Sequence, residues 1–171
     1  MTKPFEKIII ANWKMQLTIE ESVAEAKEMK KLLSKSKLPN STAVVVCPSF
    51  LAMSEVAKVF KGSDIILGAQ DTYPGDVGSH TGEVSLRNLK TLGCEYVILG
   101  HSERRAMGET DESINLKVKA TLEHDMLPIV CVGETYDERK EEKTNFVVIH
   151  QIYEALKDVN IREGQQIILA Y

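Results

Sequence analysis

The sequence predicts an α/β fold built on parallel strands, and three observations carry that prediction. Six short apolar runs recur along the 171 residues: KIIIAN (7–12), AVVVC (43–47), IILGAQ (65–70), EYVILG (95–100), PIVCVG (128–133) and QIILAY (166–171). Each is about strand length and apolar at consecutive positions, which suits parallel strands covered on both faces. Helical patterns fill the gaps, so the chain reads as β-α repeated five times plus a sixth strand: about six strands and five helices. Strict alternation fits either an open doubly wound sheet or a (β/α)8 barrel. A doubly wound nucleotide binder usually shows a Gly-rich turn after its first strand. Here Asn12-Trp13-Lys14-Met15 follows that strand, which is no phosphate cradle of that type.

The helices follow in order. Thr18 and Glu21 have the spacing of a capping box and open TIEESVAEAKEMKKLL. Val23, Ala26, Met29, Lys30 and Leu33 fall near one stripe of that helix, with the aliphatic stem of Lys30 at its margin. SFLAMSEVAKVF follows the second strand, SLRNLKTL the third and TDESINLKVKATLEHD the fourth. After the fifth strand, ETYDERKEEK (134–143) reads as a solvated loop and helix start. It leads into TNFVVIHQIYEALKDV, where Phe146, Ile149, Ile152, Tyr153 and Leu156 keep helical spacing and Gly164 lies past the end. The loop QDTYPGDVGSHTGEVS (70–85) has 16 residues, longer than most unstructured connections, which favours a functional role.

Composition narrows the class. Hydrophobic residues make up 43% and charged residues 27%, which is globular, and one domain over 1–171 is expected. A net charge of −4 with no basic tract argues against nucleic acid. No apolar run approaches a membrane span, and the start, MTKPFEK, is not a signal peptide. Cys47, Cys94 and Cys131 are odd in number and widely spaced, each in or beside an apolar run. They read as reduced, buried core thiols of a cytoplasmic protein. The Asn40-Ser41-Thr42 sequon carries little weight without secretion.

In both architectures ligands sit at the carboxyl ends of the strands. Those ends carry Asn12 and Lys14, then Pro48-Ser49, then Gln70 and Asp71, then His101, Ser102 and Glu103, then Glu134. No Cys/His/Asp set has metal spacing, and no G-x-S-x-G elbow is present. The set suits electrostatic work: a neutral imidazole donating to a carbonyl oxygen, a lysine ammonium beside developing negative charge, an Asn amide steadying either. Such a site favours enolisation next to a carbonyl. The plainer alternatives are a solvated Lys14, a structural His101, and a simple ion-pair cluster of Glu103 with Arg104 and Arg105. The residues alone leave both readings open.

ANWKM (11–15), GSHTGEVS (78–85), YVILGHSERR (96–105), GETDESINLKVKA (108–120), PIVCVGET (128–135) and ILAY (168–171) closely resemble the triosephosphate isomerase family, in its order and at about its spacing. The resemblance implies a (β/α)8 TIM barrel, a homodimer and no cofactor. It also implies interconversion of dihydroxyacetone phosphate and glyceraldehyde 3-phosphate through an enediolate, a step of glycolysis and gluconeogenesis. By motif, Asn12 and Lys14 would contact substrate, and Lys14 would offset phosphate and enediolate charge. His101 would be the neutral electrophile; a histidine kept neutral by a helix N-terminus is a known example of pKa tuning in this family. Ser102 and the helical turn after it would supply the donor end that keeps His101 neutral, and Glu103 would orient Lys14 and the substrate region. The loop 70–85 would be the dimer loop, with Thr81 reaching the neighbouring active site.

The family pattern continues past ILAY with the glutamate that acts as catalytic base, a lid loop, two more strands and the Gly-rich phosphate loops. None of these lies in the 171 residues, and a complete barrel takes about 250. The expectation is therefore an incomplete barrel lacking its C-terminal third, inactive alone, with strands one and six as open apolar edges and marginal stability. Glu103 and Glu134 match no base position. The alternative is a non-catalytic barrel fragment that acts by association with a partner chain. A different barrel enzyme acting on a phosphorylated sugar fits the NWK and HSERR motifs poorly.

Overall fold

The computed structural model describes residues 6–36, 39 and 41–171. Residues 1–5 of the start and Asn40 of the sequon lie outside the described residues. The elements run β1 (Lys7–Asn12), α1 (Ile19–Lys35), β2 (Thr42–Cys47), α2 (Phe50–Phe60), β3 (Ile65–Ala69), α3 (Leu86–Thr91) and β4 (Cys94–Leu99). Then come α4 (Ser102–Ala106), α5 (Asp111–Glu123), β5 (Leu127–Cys131), α6 (Tyr136–Lys140), α7 (Thr144–Leu156) and β6 (Ile168–Ala170). The strand order follows the chain, β1-β2-β3-β4-β5-β6. A doubly wound sheet reverses its order at a switch point; this one never reverses, as a barrel requires. The fold is an α/β fold with six parallel strands of an incomplete (β/α)8 barrel.

The chain divides into two compact units, residues 1–70 with 88–96, and residues 71–87 with 97–171. In the first, β1 pairs with β2 from Lys7 opposite Thr42 to Asn12 opposite Cys47, and β2 pairs with β3. Val44, Val45, Val46 and Cys47 of β2 are buried, as are Ala52, Met53, Val56 and Phe60 of α2. The α1 capping box forms as its spacing predicts: Glu21 N donates to Thr18 Oγ1 at 3.2 Å and Thr18 N to a Glu21 carboxylate oxygen at 2.8 Å. The α1 stripe turns inward, and Lys30 sends its ammonium to the carbonyls at the end of α2, Val59 and Lys61, each at 2.8 Å.

In the second unit, Ile114, Val118, Leu122, Ile129 and Val130 form the core, and β5 pairs with β6. Two one-turn helices, α4 and α6, add to the five predicted, giving seven among the described residues. Each has a capping side chain that the hydrophobic pattern does not register: His101 for α4, and the Thr135–Glu138 box for α6. The charge run 134–143 thus holds a capped turn of helix.

Two expectations need correction. Coverage on both faces holds for β2 but not for the strands at the ends of the order, where Ile9 is 53% exposed and Leu169 47%. An end strand has a neighbour on one side only. In α7 the regular stripe is not the buried face: Phe146, Ile149 and Tyr153 are exposed, while Val147 and Ala155 are buried. Gln151, midway between those two, explains the rotation. Its amide oxygen accepts from Gly133 N at 2.8 Å and its Nε2 donates to Gly133 O at 3.1 Å. These two hydrogen bonds tie that face of the helix to the chain just past β5.

Candidate active site

In the first unit the polar residues sit where β1 and β3 end. Asn12 Oδ1 accepts from Lys14 N at 3.0 Å. Gln70 Nε2 donates to Lys14 O at 2.9 Å and to Cys47 O at 3.0 Å, and Trp13 N donates to Cys47 O at 3.0 Å. Lys14 is left in the left-handed region with φ 51°. A lysine gains nothing there, so the surrounding hydrogen bonds must impose that conformation. Asn12, Lys14 and Gln70 therefore form one constrained turn. Gln70 was legible only as a polar residue after a strand, without a role.

In the second unit β4 ends at Gly100, which has φ 68°. A Cβ there would come within 2.8 Å of Ile114 Cδ1 and 3.3 Å of Cys131 O. Only glycine turns the chain at this point without displacing its neighbours. The turn presents His101, half-buried, as the cap of α4. Its Nδ1 accepts from Glu103 N at 3.2 Å. The same nitrogen lies 3.4 Å from Glu103 Oε2, which would be an ion pair if the ring were charged. One nitrogen cannot accept the backbone N–H and also donate to the carboxylate. The backbone donor is fixed by the helix, so Nδ1 is the acceptor and Nε2 carries the proton.

Ser102 and Glu103 are exposed in the first turn of α4. The arginines beside them have other carboxylates: Arg104 meets Asp71 at 2.9 Å and Arg105 meets Asp111 at 2.5 Å. Arg105 Nε also donates to Gly100 O at 2.8 Å. The loop past Gln70 is closed at its base, where Tyr73 N donates to Val84 O at 2.8 Å and Thr72 Oγ1 to the same carbonyl at 3.1 Å. The ring centroids of Tyr73 and His80 lie 4.1 Å apart within it, and Thr81 is exposed.

Glu134, after β5, has its side chain nearly covered. Its Oε1 accepts from Thr144 Oγ1 at 3.0 Å and Tyr171 OH at 3.2 Å. A backbone hydrogen bond at Glu134 first, then these hydroxyls and Arg139, hold its carboxyl below the ordinary value of 4.5. All three cysteines carry thiols. Burial pushes Cys94 up to about 12 and raises Cys131 as well, so both stay protonated and unreactive at neutral pH. Cys131 is only partly buried, short of the core position expected. No group of His, Cys, Asp and Glu among the described residues could hold a metal ion. Among those residues no helix is long and apolar enough to cross a membrane.

A family model described as triosephosphate isomerase matches residues 7–171. Proteins named triosephosphate isomerase are similar to this chain: that of Caldanaerobacter subterraneus subsp. tengcongensis is 46% identical and that of Thermoanaerobacter pseudethanolicus 45%, each over 96% of this chain. That of Chlorobium phaeobacteroides is 42% identical over 97% of it. The chain spans 65% of the length of each of these relatives. A match from β1 to β6 at such identity leaves one assignment: the chain belongs to the triosephosphate isomerase family.

Proposed function

We propose that this chain, as one partial barrel domain over 1–171, carries the electrophilic half of a triosephosphate isomerase site. The substrates are dihydroxyacetone phosphate and glyceraldehyde 3-phosphate. Asn12 and Lys14 bind the substrate, and Lys14 offsets the charge of the phosphate and the enediolate. His101 polarises the carbonyl through Nε2–H, Ser102 and the turn it opens supply donors, and Glu103 orients Lys14. The carrying observation is the hydrogen bond from Glu103 N to His101 Nδ1, which leaves Nε2 as a neutral donor for a developing oxyanion. The reaction moves protons only and calls for no cofactor, and the cytoplasm is the matching compartment. The full-length protein pairs as a homodimer through loop 70–85, with Thr81 at its tip.

The chain alone is inactive in this reading. A base working near neutral pH needs a raised carboxyl pKa, and the hydrogen bonds on Glu134 act in the opposite sense. The test is isomerisation of glyceraldehyde 3-phosphate by the chain alone and with a relative's C-terminal fragment beginning at the glutamate after the ILAY motif. Activity in the mixture only is the expected result. Efficient turnover by the chain alone would sink the division of labour. The exposed Ile9 and Leu169 favour one second reading, a non-catalytic fragment acting by association. A stable but inactive mixture would support it.

A further inference from the structure

Lys117 has no part in the site described above, yet its side chain is only 7% exposed. Its ammonium meets Asp71 Oδ1 at 2.7 Å and Glu109 Oε1. The other oxygen of Asp71 holds the Arg104 guanidinium at 2.9 Å. Two cations and two carboxylates thus form a balanced quartet, and burying charges is tolerated only in such pairings. The pairing is incomplete even so: Glu109 Oε2 and Arg104 Nε are buried without a hydrogen-bond partner among the described residues. Well-packed apolar residues would usually serve stability as well or better, so stability alone does not account for the quartet.

The quartet reaches α4 through Arg104. Arg104 belongs to that helix, and its N–H donates to His101 O at 2.8 Å. Its carbonyl accepts from Met107 N at 3.0 Å and Glu109 N at 3.1 Å. Asp71 therefore pulls on the side chain of Arg104 while Glu109 closes the turn behind it, and Lys117 ties the two carboxylates together. We propose that Lys117 is a positioning residue for His101: through Asp71, Glu109 and Arg104 it fixes the first turn of α4, and with it the imidazole that the turn orients. This rests on the reading of His101 as the electrophile.

The test uses the 171-residue chain with 15N-labelled histidine and reads the ring-nitrogen resonances by NMR, which needs no turnover. Lys117→Met keeps the length and removes the charge. Asp71→Asn keeps the shape and breaks the bridge to Arg104 while leaving Lys117 opposite Glu109. Both are expected to shift or exchange-broaden the His101 Nδ1 resonance and to leave His150, stacked on Phe146 in α7, in place. A folded Lys117→Met chain with an unmoved His101 resonance would overturn the proposal. So would loss of the folded state in both variants by circular dichroism, because Lys117 would then serve the whole fold rather than one ring. Failure of the mixed isomerase assay bears on the proposed function and leaves this outcome untouched.

Discussion

Lys14 holds two demands in one residue. Its backbone sits at φ 51°, which costs a side-chain-bearing residue about 1–2 kcal/mol. Glycine would remove that cost, but it brings back about 0.5–1 kcal/mol of unfolded-chain entropy. The balance favours Lys14→Gly by up to about 1.5 kcal/mol. The variant should therefore melt later than the parent in urea while the mixed isomerase assay falls, since the ammonium is gone. A Lys14→Gly chain that melts earlier would show that the turn is not strained. Asn12 and Lys14 were legible from the sequence as polar residues at a strand exit. The left-handed turn was not, because part of what imposes it is Gln70, 56 positions along the chain. His101 was legible by motif, and the tautomer only by geometry, since it turns on which group faces Nδ1.

At the scale of elements, the six strands were legible because their runs of consecutive apolar residues are too short for a helix and the right length for a buried strand. Boundaries shifted by a residue or two, and the two one-turn helices left no periodicity to read because caps make them; only the family motif marked the helical turn after Ser102. The face of α7 was not legible: an apolar stripe shows that a face exists, while the Gln151–Gly133 pair decides which face turns inward. The end strand β1 carries its own prediction. Ile9 is exposed, as is Lys7 two positions before it, in a strand paired through β2 at the end of the order. Such an apolar edge templates pairing between molecules, and a lysine in it is a common natural protection. Ile9→Lys should lower the association state seen by sedimentation velocity at equal concentration, with little change in circular dichroism. An unchanged distribution would place the association surface elsewhere, with the exposed Phe146, Ile149 and Tyr153 of α7 as the next surface to alter.

For the molecule as a whole, the family motifs made the fold readable, because they run in one family's order along residues 7–171. The charge quartet of the second unit was not readable. Asp71 and Lys117 lie 46 positions apart, and Lys117 looks like any helical lysine until its neighbours close around it. The ionised side chains do combine into one global property, the dependence of stability on acid. Glu21, Glu134 and Glu138 all have carboxyl pKa values held below the ordinary 4.5, mainly by backbone hydrogen bonds. A depressed native pKa means that the unfolded chain binds protons more readily at low pH. The contribution is present in full above the unfolded value and is lost as pH falls from about 4.5 through the native values. Thermal unfolding followed from about pH 7 down to about pH 3 should therefore hold a plateau and then decline below about 4.5. Glu134→Gln, which cannot take up a proton, should have a shallower decline, since one linked group is removed. The contribution is local but the readout is global, because protonating any one of these carboxylates favours the same unfolded ensemble. A parent and a variant with equal slopes would show that Glu134 is as easily protonated folded as unfolded, and would remove its hydrogen bonds to Thr144 and Tyr171 from the account.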